Sequence, residues 1–229
     1  MKKFNLSTIL FLCISIFFAG CAEMSNTGKG AAIGAGSGAA VGAGLGAIFG
    51  KGKGAVIGAA IGSAVGAGTG ALIGKKMDKQ QQELEAIRGA QVESVVDKNN
   101  LQAIKVTFSE GILFEFNKSN LSESSRYALN EFAASLRSNP ETDVTIYGHT
   151  DNKGTRAVNQ RISKERATAV ANYLVGQGVQ RNRLTIEGLA FDQPVASNET
   201  ADGRAQNRRV EIYITASKEM IRKAENNNL

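Results

Sequence analysis

The chain has 229 residues, a formal charge of +6, one histidine and two cysteines. That length holds one ordinary domain with appendages, or two small domains. The charge is too mild to indicate nucleic acid, and a lone histidine with so few cysteines makes no metal set, so neither nucleic acid nor a cofactor is expected. Composition is segregated, with 17 of the 26 glycines lying between Gly28 and Gly74. The chain is therefore read in pieces.

Residues 1–20 read as an export leader. Lys2 and Lys3 form a short basic start, and Leu6 to Phe18 is an apolar run of 13 residues, too short for an ordinary membrane span. The run Phe18-Ala19-Gly20-Cys21 resembles a bacterial lipobox, in which small residues precede a cysteine that is acylated and becomes the new N-terminus. The alternative is a plain signal peptide with an incidental cysteine. Cys13 would leave with the leader, so Cys21 would remain as the single cysteine, unable to form an internal disulfide. Residues 21–27 are then an acylated N-terminus and tether. Ala22 and Glu23 stand where an aspartate commonly retains such proteins at the inner membrane. The outer membrane is therefore expected, with the globular part in the periplasm.

Residues 28–76 contain two copies of a 24-residue repeat, with a glycine at every fourth position from Gly30 to Gly74. Period four is a helical ridge, and rows of glycine let helix backbones approach closely. Gly30–Gly50 and Gly54–Gly74 are each 21 residues without a charge, bounded by lysines. At about 1.5 Å per residue, either could reach across a hydrocarbon core of roughly 30 Å. An antiparallel helical hairpin with Lys51-Gly52-Lys53 at its tip is expected, in or on the membrane. A water-exposed or self-associating segment is the alternative. The pattern resembles the glycine zipper of some outer-membrane lipoproteins.

Residues 77–104 read as a linker. Met77 to Arg88 is expected to be a short exposed spacer helix. Gln91–Val96 and Leu101–Phe108 alternate around Asp97-Lys98-Asn99-Asn100, as a β-hairpin does. Ile112–Phe116 reads as a further strand. Ser122, with Ser125 at N3, should cap a helix running to about Ser138, with Leu129, Phe132, Ala133 and Leu136 inward. Asp143–Tyr147 reads as a strand, Arg156 to Val175 as a helix and Leu184–Glu187 as a strand. A long loop, Ala190–Asn207, with one helical turn leads to a last strand, Arg209–Thr215. Residues 105–216 thus predict an α+β domain, β-α-β-α-β, with helices packed on a mixed sheet. Residues 217–229 read as a tail.

The helix from Arg156 carries an anomaly. At about 100° per residue, Ile162, Ala169, Val170, Tyr173 and Leu174 share an apolar arc, yet Asn159, Ser163 and Arg166 fall on that same side. An inward arginine needs an anion or a rich set of acceptors. The loop entering the helix, Gly148 to Gly154, supplies Asp151. Two readings stand. Asp151 and Arg166 pair with each other and pin the loop, or together they hold a zwitterion. In the second case Arg166 forks a ligand carboxylate, Asp151 takes an ammonium, and Asn159 with backbone amides completes the set.

The runs Ile146 to Gly154, Asn159 to Ala167, and Asn198-Glu199-Thr200 through Asn207-Arg208-Arg209-Val210-Glu211 resemble the signature of the OmpA-like domain family. That family includes peptidoglycan-associated lipoprotein and the motor protein MotB. With lipobox and glycine repeat, the whole chain is similar to glycine-zipper lipoproteins of the YiaD type. The resemblance implies binding of the diaminopimelate residue of peptidoglycan by Asp151 and Arg166. Asn159 and Thr150 would be helpers, and Arg208 would line the cleft. Asn117 stands where the family usually has aspartate, so its part is confined to its backbone amide. The implied function is a non-covalent tether between outer membrane and cell wall. The alternative is an assembly module in which the glycine repeat packs with partners or itself. A Ser163–His149–Asp151 triad lacks a nucleophile elbow, and the glycine repeat lacks the ending of a phosphate loop, so no enzyme is expected.

Overall fold

The computed structural model describes residues 67–114 and 119–229. The leader, Cys21, Asn117 and all but the last turns of the glycine repeat lie outside the described residues, and so does the expected hairpin tip.

In chain order the elements are α1 (Ala67–Glu85), β1 (Gln91–Val96), β2 (Gln102–Ser109), α2 (Glu110–Leu113), α3 (Glu123–Ser138), β3 (Thr142–Gly148), α4 (Arg156–Gly176), β4 (Leu184–Gly188), α5 (Ala201–Asn207), β5 (Arg209–Ala216) and α6 (Lys218–Glu225). The strands form one sheet in the order β1-β2-β5-β3-β4. Every pairing is antiparallel except β3 with β4. A parallel pair needs a crossover, which α4 provides. The mixed sheet and α+β class agree with expectation.

The strand period of two sorts the sheet into faces. Registers align Ile104, Ile214 and Val144 in one row, and Val106, Ile212 and Ile146 in the next. All six are fully buried. Neighbouring positions such as Lys105, Tyr213 and Thr145 point to the other face. Phe108 meets Phe132 of α3 edge-on, with ring centres 6.1 Å apart. As expected, Ser122 caps α3, its hydroxyl accepting the Ser125 N–H at 3.1 Å. Leu129, Phe132, Ala133 and Leu136 are buried.

Four expectations need correction. The segment after the glycine repeat is no exposed spacer. Helix α1 runs unbroken from Ala67 to Glu85 and buries Ile73, Met77, Gln80 and Leu84, with Ile87 just beyond its end. Their spacings of four, three, four and three place them on one helical stripe, which packs against β1 and β2. The expected tail holds α6, with Met220 and Ala224 buried where it packs against α1. The expected strand Ile112–Phe116 begins instead as the helical turn α2. The ladder to β5 ends at Ser109–Arg209. Beyond it the chain winds up to bury Leu113, and Phe114 returns to extended backbone in an antiparallel bridge with Leu121. Finally, the buried arc of α4 is rotated toward Ala167 and Ala171, while Ile162, Ala169 and Tyr173 are half-buried. The cause is close approach. A Cβ at Gly148 would lie 1.9 Å from the Ser163 carbonyl oxygen, and one at Gly188 would lie 2.6 Å from the Lys164 nitrogen. Only small side chains fit where a helix rides so near the strand ends.

Candidate functional site

Strand β3 delivers the loop 149–154 to the end of the sheet. The His149 N–H donates to the Arg209 carbonyl at 2.9 Å, and the Thr150 N–H to the Ala190 carbonyl at 2.8 Å. Asp151 Oδ1 accepts the Lys153 N–H at 2.9 Å, closing a local turn. Gly154, at φ 88°, occupies the left-handed region that a side chain would strain. Thr155 then caps α4. Asn159 ties the loop down, its Nδ2 donating to the carbonyls of Lys153 at 2.8 Å and Thr155 at 3.2 Å. One Asp151 carboxylate is thereby fixed beside the first turns of α4.

Two turns along α4, Arg166 is 5% exposed, and its guanidinium lies over the Phe114 ring at 5.3 Å. It pairs with Glu110 at the start of α2. Arg208, just before β5, reaches Glu110 Oε2 with Nε at 2.5 Å and Asp151 Oδ2 with Nη1 at 2.8 Å. The charges alternate in the order Arg166, Glu110, Arg208, Asp151. A direct Asp151–Arg166 bridge, one of the two sequence readings, is replaced by this longer chain of pairs.

These groups line a cleft of ≈ 600 Å³, together with Thr150, Lys153, Asn159 and Ile162. Of the residues expected at the site, Asp151, Arg166, Asn159, Thr150 and Arg208 come together here. Asn117 and Cys21 lie outside the described residues. The Thr150 hydroxyl is buried and has no hydrogen-bond partner among the described residues. Asn159 lines the cleft, but its amide nitrogen is committed to the loop. Sequence reading missed Glu110, whose link to Arg166 and Arg208 depends on the β2–β5 register. The available signal was its position directly after a strand whose partner begins at Arg209.

Behind the loop lies a second polar cluster. His149 is 1% exposed, with Nε2 3.7 Å from the Glu211 carboxylate. Burial lowers its pKa, against the opposing pull of Glu211. Burial alone would raise Glu211, but His149 and Arg209 outweigh it and hold the carboxyl at about 2. Arg209 pairs with Glu211 at 2.8 Å, and the Tyr213 hydroxyl donates to the same carboxylate at 3.1 Å. The Ser163 hydroxyl is committed to backbone, donating to the Gln160 carbonyl and accepting the Ala190 N–H, both at 3.1 Å. His149 and Ser163 thus hold the loop and the helix beneath the cleft.

A sheet flanked by helices, with a loop aspartate and a helix arginine at one end, defines a class. Residues 113–208 match the OmpA family, and the chain carries an OmpA-like domain. Residues 1–78 match the YMGG-like Gly-zipper family. Among curated relatives, the chain is 42% identical over 116 residues to Outer membrane protein A of Bordetella avium, covering 51% of this chain and 60% of that one. It is 38% identical over 140 residues to Probable lipoprotein YiaD of Escherichia coli, covering 61% of this chain and 63% of that one. It is 46% identical over 86 residues to Peptidoglycan-binding protein ArfA of Mycobacterium tuberculosis, covering 38% and 26% respectively. The matches thus span under two thirds of each of these relatives' own lengths. Among solved structures, the cell wall anchor of the T6SS from Pseudomonas aeruginosa matches with a TM-score of 0.53 at 30% identity, covering 62% of this chain and 97% of that one. Among the described residues, no helix is long and apolar enough to cross a membrane, and no cluster of potential metal ligands occurs.

Proposed function

We propose that this protein anchors the outer membrane to the cell wall by non-covalent binding of peptidoglycan diaminopimelate. Acyl chains on Cys21 hold the membrane end, and the OmpA-like domain grips the wall from the periplasm. Asp151 receives the ligand ammonium, and Arg166 receives its carboxylate in a bidentate fork. Thr150 contributes its hydroxyl, Asn159 keeps the loop in place, Arg208 lines the cleft, and the Asn117 backbone amide completes the set. No bond is made or broken. Modest affinity per site is multiplied by many copies on a polymeric wall.

The observation that carries this reading is the cleft itself. Cationic and anionic side chains stand beside one another there, next to Thr150. That is the chemistry of an amino-acid group. A relative named for peptidoglycan binding and a solved cell wall anchor support the same assignment. The test is co-sedimentation with purified sacculi. Asp151→Ala and Arg166→Ala should each remove the protein from the pellet while circular dichroism shows a folded domain. Muropeptides recovered from the wild-type incubation should be unchanged. Wild-type sedimentation by either variant would defeat the site assignment, and new muropeptides would defeat the tether reading.

A further inference from the structure

We propose that Glu110 and Arg208 act as a built-in stand-in for the ligand, and that Glu110 lowers the apparent affinity because it must leave Arg166 before a ligand carboxylate can arrive. The inference rests on the zwitterion reading of the cleft.

The backbone sets up the pair. Beyond the last rung of the β2–β5 ladder, the Glu110 N–H donates to the Arg208 carbonyl at 2.9 Å. The two side chains therefore leave the sheet end side by side and join at 2.5 Å. Together they present one carboxylate and one guanidinium from a single scaffold, an internal zwitterion. Its carboxylate sits on Arg166, and its cation sits on Asp151 at 2.8 Å. Those are the two groups assigned to the ligand.

Burial shows which groups can yield. The Arg166 side chain is 7% exposed, Glu110 and Asp151 are each 13% exposed, and Arg208 is 35% exposed. Arg166 needs an anion at all times, because a buried unpaired charge is strongly destabilising. Without ligand, Glu110 supplies such an anion. Arg208, the most exposed of the four, is the one with water beside it to turn into. Binding is then an exchange of pairs. Incoming carboxylate replaces Glu110, and incoming ammonium replaces Arg208. A guest with both charges replaces both in one event. A guest with an ammonium alone leaves Glu110 in place on Arg166, so the latch favours free amino-acid ends over simple amines.

The apparent dissociation constant of such a site is the intrinsic one divided by the fraction of time it stands open. The experiment is calorimetric titration of the full-length protein in detergent with meso-diaminopimelate. Glu110→Gln keeps the shape of the side chain and removes its charge. It should bind about tenfold tighter than wild type, the factor for a site open about a tenth of the time. Binding equal to or weaker than wild type overturns the latch. A second readout needs no variant. In protein labelled with nitrogen-15 arginine, the Arg208 Nε–H should exchange faster with solvent once diaminopimelate saturates the cleft, and unchanged protection overturns the proposal. If wild type gives no heat with diaminopimelate, the zwitterion site fails and the latch fails with it. If wild type binds through Asp151 and Arg166 while Glu110→Gln gains nothing, the latch alone fails.

Discussion

At Gly148, the lack of a side chain lets α4 pass close over the end of β3. A methyl group there would sit 1.9 Å from the Ser163 carbonyl oxygen, a backbone atom that cannot step aside. Gly148→Ala should therefore lift α4 from the sheet and carry Arg166 away from Asp151. Overpacking of this kind costs about 1 to 3 kcal/mol, and more where backbone must move. A lower urea midpoint together with lost sacculus binding is the expected outcome. The buried carboxylate of Glu211 gives a second test. Its pKa is held at about 2, below its usual 4.5, so it stabilises the fold above pH 4.5 and loses that contribution as pH falls toward 2. His149 is lowered from 6.5, so its contribution starts to fade below that pH. Glu211→Gln should be less stable than wild type at pH 7, because Arg209 loses its partner. The gap should narrow between pH 4.5 and pH 3 in denaturant titrations at each pH.

Among the elements, the β1–β2 hairpin is held by an acid in an unfavourable place. Asp97 Oδ1 accepts the N–H groups of Asn99 at 2.7 Å and Leu101 at 2.9 Å, while burial raises its pKa from 3.8 to about 6. A raised value means stability present at low pH and lost as pH rises through about 6. Asp97→Asn keeps an accepting oxygen and removes the buried charge. It should stabilise the protein by about 1 to 2 kcal/mol at pH 7.5 and give no gain at pH 4, read from urea midpoints. This hairpin was legible in the sequence, as were α3 and β3, because turn chemistry, caps and periodicity are local. Helix α1 was misjudged for the opposite reason. Its apolar stripe, Ile73 to Ile87, is interrupted by Gln80 and begins inside the glycine repeat, so no local cue separates a core helix from a spacer. The rotation of α4 depends on how closely Gly148 and Gly188 let it approach. Asn159, Ser163 and Arg166 stood out as polar residues on the apolar side of α4, and Asp151 as the acid in the loop that enters it. Glu110 did not, since its partners Arg166 and Arg208 are 56 and 98 residues away along the chain.

For the molecule as a whole, the cleft is assembled from α2, the β3–α4 loop, the first half of α4 and Arg208 just before β5, elements that the sheet brings together. Helix α1 contributes nothing to the cleft and much to the sheet. Gly70 and Gly74, the last rungs of the glycine repeat, are buried in the same helix as Met77 and Leu84. The repeat thus passes directly into the domain core. Ile73, Met77, Leu84 and Ile87 are each at most 4% exposed. At roughly 1.5 to 3 kcal/mol per buried apolar side chain, their joint loss is comparable to the whole stability of an ordinary domain, about 5 to 15 kcal/mol. A fragment of residues 90–229 has every described residue of the cleft but lacks this layer, and α6 loses the helix it packs against. That fragment should show poorly dispersed amide resonances and no cooperative urea transition, whereas residues 67–229 should show both dispersion and cooperativity and should bind sacculi. Equal cooperativity in the two fragments would demote α1 to an appendage. Wall binding by residues 90–229 would mean that the sheet end alone can hold Asp151 and Arg166 in place.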